Sequence, residues 1–377
     1  MASVRFTPGS QGMSQEREGR TVFSVKSGLS VEHSLSELYG YRHVVLFGGA
    51  RSGLRAVVEA IGMVNQPILI PSNVCSAVLA AIVATKARAV AVPVSATCGM
   101  VSLHDFLEAA SAESEQGILM PTHLYGVHHP YEMIRESGWF ILENDTLCTA
   151  TIRNGQRRAV GDALLVSFNH VKTIEAGGGG AVLTDDTALA KELTRIAGGW
   201  RPATAYDRQR EEHLMLARRH LRGLGRLPLS EALIDLDLGM TALALNPLDR
   251  PAIESAIVET PAILAGKQDR LNHWMQKLAP LGDAFLPMPH EIDVPWRLTL
   301  ALQDAAQTPK IVAALREAGF DAGTNYPPLA HEFPSYLPRQ AEADLWGSRV
   351  LNLWLTERYD KTQISSAVDV MRRHFDA

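Results

Sequence analysis

From about residue 36 the chain alternates between two hydrophobic patterns. Uninterrupted apolar runs of strand length stand at 44–47, 67–70, 89–92, 117–120, 139–142 and 163–166. Between most of them lie stretches with apolar residues at helical spacing, at 54–61, 74–83, 103–110 and 131–137. Strands that are apolar throughout are buried on both faces. Their alternation with helices predicts an α/β fold with a mostly parallel sheet sandwiched by helices. Ligands in such sheets bind outside the carboxyl ends of the strands, so the informative residues are those that follow each run.

Past the sixth strand come an apolar run at 181–183, a helix at 187–198 and an arginine-rich helical stretch at 200–236. In that stretch Arg208, Arg210, Arg218, Arg219 and Arg222 are interleaved with Glu211 and Glu212, which reads as a solvated helix face. Pro247 and Pro251 mark a boundary. Beyond it the pattern predicts a long helix at 252–281 broken at Pro261, a strand at 297–302 and a helix at 309–318. A loop at 325–329, a short strand at 351–355 and a last helix at 361–375 complete it. The expected organisation is an irregular N-terminal arm (1–35), a large domain (36–248) and a small α+β domain (249–377).

Composition narrows the function classes. Of 377 residues, 46% are hydrophobic and 20% charged, as in an ordinary globular protein. The net charge of −5 argues against general nucleic-acid binding. Cys75, Cys98 and Cys148 have neither metal-site spacing nor a disulfide framework, as in a reducing compartment. The polar first 22 residues resemble neither a signal peptide nor an anchor, and no apolar run reaches the roughly 20 residues of a membrane span. The expectation is a cytoplasmic soluble protein.

The strand ends carry the candidate chemistry. The sixth strand leads into Ser167-Phe168-Asn169-His170-Val171-Lys172-Thr173, and Gly177 to Gly180 precede the next strand. Four consecutive glycines pack no side chain and lose much backbone entropy on ordering. They read either as a flexible hairpin turn with a solvated lysine, or as backbone that closely approaches a bound group beside a crevice lysine. A buried lysine with a lowered pKa is a nucleophile suited to Schiff-base chemistry.

Gly48-Gly49-Ala50-Arg51-Ser52-Gly53 opens a helix after the first strand, which suits a phosphate, though the spacing is neither a Walker sequence nor a dinucleotide fingerprint. The alternative is a tight turn with an N-cap serine. In Pro121-Thr122-His123-Leu124-Tyr125-Gly126, His123 is either a ligand contact or a structural histidine. In Glu143-Asn144-Asp145-Thr146, acids at the end of a buried strand need a cation or hydrogen bonds, and a protonated pyridine nitrogen would serve. A turn or cap role for Asn144 or Asp145 is the alternative.

In order and spacing these segments resemble the DegT/StrS family of pyridoxal-phosphate (PLP) enzymes, of fold type I aminotransferase architecture. The match rests on Gly161-Asp162, Ser167-Phe168 with Lys172 four residues after the phenylalanine, and Gly177 to Gly180. It extends to the 49–54 turn, the 121–126 segment, Tyr326-Pro327-Pro328-Leu329 and Leu351-Asn352-Leu353. The resemblance implies that Lys172 holds PLP as a Schiff base and shuttles the proton. It implies that Ala50, Arg51, Ser52 and Ser167 bind the cofactor phosphate, and that a carboxylate pairs with the pyridine nitrogen. Aligned without gaps, Asn144 takes that aspartate position and Leu147 a glutamine position. A shift of one residue restores Asp145, which is preferred because the chemistry demands a carboxylate.

Other departures are Cys75, near the position of an aromatic that stacks on the ring, Gly178 in place of a glutamate, and Arg51 where a threonine is common. His123, Tyr125, His170 and Tyr326 are the substrate-contact candidates. No metal is implied. The family implies a homodimer with shared active sites, with Asn246 reaching the partner's phosphate site. The expected reaction moves an amino group from a donor, glutamate, to a keto group of a nucleotide-linked sugar. The competing readings are a PLP enzyme acting on a non-sugar carbonyl and a PLP-binding regulatory protein without transfer activity. A sugar dehydratase would carry histidine in place of Lys172, and His170 lies two residues away.

Overall fold

A computed structural model describes residues 28–127, 131–147, 152–153, 156–157, 159–287, 292 and 296–375. Residues 1–27 of the expected arm, and Cys148, lie outside them. Helix α1 (Val31–Tyr39) begins inside the stretch read as irregular. Val31, Leu35, Leu38 and Tyr39 recur on one face and are buried, and Ser30 Oγ accepts from His33 N at 3.2 Å as the N-cap.

The large sheet uses the expected apolar runs, shifted by a residue or two. Its strands are β1 (His43–Phe47), β2 (Pro67–Pro71), β3 (Arg88–Val92), β4 (Ile118–Leu119) and β5 (Phe140–Asn144). A small hairpin of β6 (Ile152–Arg153) and β7 (Gln156–Arg157) follows, then β8 (Ala163–Ser167) and β9 (Gly180–Thr184). The order is β1-β9-β8-β5-β4-β2-β3. Every pair from β8 to β3 is parallel, and β9 runs against both its neighbours.

Helices α2 (Ala50–Ala60), α3 (Ser76–Ala84) and α5 (Thr187–Gly198) cover one face. Leu54, Val57, Leu79 and Leu193 meet Ile68, Leu142, Leu165 and Val182 there. Helix α4 (Leu103–Ser111) and α1 lie over the other, where Phe106 meets Leu119 and Leu35 meets Leu164. The segment expected as a helix at 131–137 is a 3-10 turn, Glu132–Ser137.

Helix α6 (Ala205–Gly223) and the short α7 (Ile234–Leu238) correct the reading of the arginine-rich stretch as a solvated face. Arg218 pairs with Asp237, both buried, and Arg222 donates to Asn325 Oδ1 (3.1 Å) and Glu332 Oε1 (3.2 Å). Charges placed inward on a helix need such partners, because unpaired buried charge is costly.

Helix α8 (Arg250–Leu278) runs through Pro261 without breaking. At 29 residues it spans about 43 Å. Ile253, Ala256 and Ile257 pack on the large sheet, while Leu271, Trp274 and Leu278 enter the hydrophobic cluster around the small sheet. Burial on both sides of the proline offsets the one backbone bond it removes. The small sheet, order β10-β12-β11, is antiparallel: β10 (Arg297–Ala301), β11 (Ala322–Gly323) and β12 (Val350–Trp354). Helices α9 (Thr308–Glu317) and α12 (Lys361–Arg372) cover it, while α10 (Leu329–Glu332) and α11 (Ala341–Arg349) return to the clusters on the large sheet through Leu329 and Trp346. Among the described residues no helix is long and apolar enough to cross a membrane.

Candidate active site

Lys172 lies in the loop joining β8 to β9, and that loop is fastened at both ends. Phe168 N donates to Gly179 O (3.0 Å) and Ala176 N to Phe168 O (2.9 Å), with Phe168 and Ile174 fully buried. Thr173 Oγ1 donates to Leu147 O at 2.9 Å, tying the loop to the segment after β5. Val171 has φ of 60°, which a β-branched residue adopts only under constraint. Its N–H donates to Glu175 Oε2 (3.0 Å) and its carbonyl accepts from Trp296 Nε1 (2.9 Å), so both peptide groups of the residue before the lysine are held. The Lys172 amine is pulled from 10.5 down to about 8, chiefly by loss of water; Cys75 opposes this, and Arg297 and Arg51 add to it. Part of the amine is therefore neutral near pH 7, as a proton carrier requires.

The glycine run is a packing requirement. A Cβ on Gly180 would stand 2.4 Å from Ala50 N and one on Gly179, at φ +96°, 3.2 Å from Leu245. The backbone of the run thus lies directly against the first turn of α2, which has no side-chain cap. An uncapped helix N-terminus against bare backbone is a cradle for an anion. Gly178 differs from Gly180: a Cβ there meets only the Arg208 side chain, 3.4 Å away.

Around this cradle the expected residues divide. Ser167 ends β8 and its Oγ accepts from Asn169 N at 3.4 Å. Arg51 is half-buried at the first turn of α2, but its guanidinium pairs with Glu211 of α6 and, at 3.5 Å, with Asp237. Ser52 turns away from the cradle: its Oγ donates to Met240 O (3.4 Å) and accepts from Leu243 N (3.3 Å). It joins α2 to the 240–243 segment because its helix phase is that of buried Ala56. Cys75, half-buried before α3, is a common electrostatic neighbour of Lys172, Arg51 and Tyr326.

At the end of β5, Asn144 is committed to the turn. Its Nδ2 donates to Thr122 Oγ1 (3.4 Å) and its Oδ1 accepts from Thr146 N (3.3 Å). The adjacent Asp145 carboxyl is buried, and Asp145 N donates to Leu165 O at 3.0 Å.

Three substrate-contact candidates are spent elsewhere. His123 is buried and bonded to Glu143 at 2.9 Å, so the structural reading of this histidine fits its surroundings. The Tyr125 hydroxyl accepts from Asn73 Nδ2 (3.0 Å) and Trp346 Nε1 (2.9 Å) inside the core. His170 is exposed and faces Glu175 at 3.3 Å. Tyr326 is stacked on Trp296 with 6.2 Å between centroids and has Cys75 and Arg297 as electrostatic neighbours. Asn246 accepts from Leu248 N (3.0 Å) and donates to Ala203 O (3.0 Å), capping a short turn beside the highly exposed Leu248.

Residues that sequence reasoning passed over complete the crevice. Glu211 binds Asn169 Nδ2 (2.7 Å) as well as Arg51, so α6 crosses the cradle. A cavity of about 440 Å³ is lined by Lys172 together with Lys267, Trp296, Arg297 and Trp354. The one sequence signal for this wall is an arginine opening an apolar strand directly after a tryptophan.

The residues present fit PLP in three respects: a bare helix N-terminus for a phosphate, a buried carboxyl at a neighbouring strand end and an amine kept partly neutral. The model of the DegT/DnrJ/EryC1/StrS aminotransferase family matches residues 18–372. Solved structures of the same fold include DesV of S. venezuelae, 19% identical with a TM-score of 0.69, covering 91% of this chain and 87% of that one. DesI, solved in the presence of its TDP-sugar product, is 18% identical with a TM-score of 0.71, covering 91% and 83%. A putative sugar aminotransferase of Streptococcus pneumoniae, Spr1654 in its PMP form, is 14% identical with a TM-score of 0.69, covering 92% and 91%. The chain belongs to the DegT/DnrJ/EryC1/StrS aminotransferase family and is a PLP-dependent aminotransferase of fold type I.

Proposed function

We propose that this aminotransferase moves an amino group from glutamate to a keto carbon of a nucleotide-linked sugar. The observation that carries the chemistry is Lys172, held rigidly at the strand ends with its amine at about 8. The sugar class is supported by the neighbours DesI, solved with a TDP-sugar product, and Spr1654, a putative sugar aminotransferase.

PLP, when bound, supplies a conjugated ring that takes up the electron pair left on a substrate carbon. The chain's own residues do the rest. The first turn of α2 and Ser167 orient the phosphate, and Asp145 holds a proton on the ring nitrogen. Nζ of Lys172 takes the donor's α-proton and holds it for return later in the transfer. Thr173 and Trp296 keep that amine on line, and α6 shields the cradle from water.

Two copies would share the site. Tyr206, Met215, Leu216, Leu224 and Leu229 are large apolar side chains left exposed on and just after α6, and Leu248 projects beside Asn246. Exposed apolar surface of this extent is typical of an association face. Light scattering should give a dimer. A monomer at working concentrations would remove Asn246 from the assignment.

The test is glutamate-dependent turnover against a panel of keto nucleotide sugars, read by mass spectrometry. An amino sugar is expected. Conversion of the cofactor by glutamate with no sugar aminated would mean a non-sugar acceptor, and cofactor binding without conversion would mean a regulatory protein.

A further inference from the structure

Val171, the residue before Lys172, sits at φ of 60°, in the left-handed region that a β-branched side chain avoids. Packing of its own side chain does not select that conformation, because the residue is 44% exposed. Its backbone partners must hold it there. Two peptide planes meet at Val171, and its return to an ordinary conformation would reorient them. The first is held through Val171 N, which donates to Glu175 Oε2 at 3.0 Å. The second, shared with Lys172, is held on both edges. Lys172 N donates to Asn169 O (3.3 Å), and Val171 O accepts from Trp296 Nε1 (2.9 Å).

These holds are unequal. Glu175 is exposed and shares its carboxylate with His170 at 3.3 Å, so water and His170 compete for it. The Asn169 bond is the longest and lies within the same loop. Trp296 comes from 125 residues further along the chain, directly before β10, and only 3% of it is exposed. Its ring is stacked on Tyr326, with 3° between the planes. It also packs against the guanidinium of Arg297, which is clamped between Trp296 and Trp354 at 4.1 and 3.6 Å from their ring centroids. An indole has a single donor, and this one is spent on the carbonyl joined to the lysine. The direction in which Lys172 leaves the backbone is thereby set from the small sheet as well as by its own loop. A reacting group displaced by about 1 Å loses much of its rate even when substrate binding is untouched.

We propose that Trp296 is a positioning residue for amino transfer: its indole N–H locks Val171 in the left-handed conformation and so aims the Lys172 amine. This rests on the reading of Lys172 as the amine that holds PLP, which Lys172→Ala checks by loss of the cofactor's visible band. The test turns on Val171→Gly, because glycine adopts a positive φ without steric cost and needs no lock. Holoprotein variants are compared by the visible circular dichroism of the bound cofactor, which needs no substrate, and by the rate of cofactor conversion at saturating L-glutamate. Trp296→Phe should weaken the dichroism and slow conversion by roughly five- to tenfold, the size of one neutral hydrogen bond, with half-saturation unchanged. Combining it with Val171→Gly should restore both readings to those of Val171→Gly alone. Glu175→Ala, at an exposed position, should show a smaller loss with the same rescue, and it carries the test if Trp296→Phe does not fold. A structural role alone would lower thermal stability and leave dichroism and rate unchanged, and that result overturns the proposal. So does a loss that glycine fails to rescue. A visible band retained in Lys172→Ala would sink the lysine reading itself, whereas its loss beside a Trp296→Phe that matches wild type would sink the positioning role alone.

Discussion

Glu211 of α6 and Arg51 of α2 form an ion pair over the cradle, although 160 residues separate them. Asn169, three residues before Lys172, bonds the same carboxylate oxygen. The chain thus places its own anion next to the proposed phosphate cradle, where it would compete with the phosphate for Arg51.

Replacing Glu211 with glutamine should therefore tighten PLP binding. Removing one negative charge at a distance of a few ångström from a phosphate is worth about 1 kcal/mol at a partly screened site, or roughly fivefold in affinity. Pyridoxal, which lacks the phosphate, is the control and should bind Glu211→Gln and wild type alike. Absorbance titration of the stripped protein measures both. Equal PLP affinities would mean that Arg51 serves only the α6 contact.

The glycines separate close packing from chain flexibility. Gly180→Ala puts a methyl group 2.4 Å from Ala50 N, where backbone must give way. Overpacking of this kind costs about 1–3 kcal/mol, and the shift falls on the first turn of α2. Cofactor affinity should drop about tenfold or more. Gly178→Ala meets only the flexible Arg208 side chain and should leave affinity within about twofold. If both variants bind PLP like wild type, the run is a turn and nothing more.

How far the sequence foretold these contacts depends on where each partner lies. The strands were legible because each is a short, wholly apolar run, and the lysine loop because four glycines have few other uses. The inward face of α6 was not. Its arginines alternate with acids in sequence, and only partners such as Arg51 and Asn325, more than 100 residues away, show which ones turn in. Arg297 was hidden for the same reason, since half its clamp, Trp354, comes from another strand. Ser52 is a different case. Its spacing of four from Ala56 already put it on a buried face of α2, and the motif match outweighed that pattern. At the end of β5 a one-residue shift exchanges Asn144 for Asp145, a choice that hydrophobic pattern cannot make.

That choice can be made by exchange of side chains. Asn144 spends its amide on Thr122 and Thr146, which favours Asp145 as the proposed carboxyl for a ring nitrogen. Asp145→Asn should retain PLP yet lose turnover by on the order of 10²-fold, the usual effect of removing one preorganised charge from a reacting centre. Asn144→Asp should gain nothing. A larger loss in an Asn144 variant that keeps its fold would reverse the assignment.

Lys172 gives the last prediction, on the cofactor-free protein. Its amine stands at about 8 in the fold against 10.5 when unfolded, so between those pH values the unfolded chain binds more protons. Stability carried by this group therefore rises with pH across that window. Below pH 8 the folded protein bears the full cost of holding a charged amine out of water, a cost that Lys172→Met removes. The variant should be the more stable protein at pH 7, and its advantage should shrink as pH climbs from 8 towards 10.5. Urea unfolding at three pH values measures the difference. An advantage that does not change with pH would mean the methionine merely packs better, and that the Lys172 amine titrates as an ordinary solvated lysine.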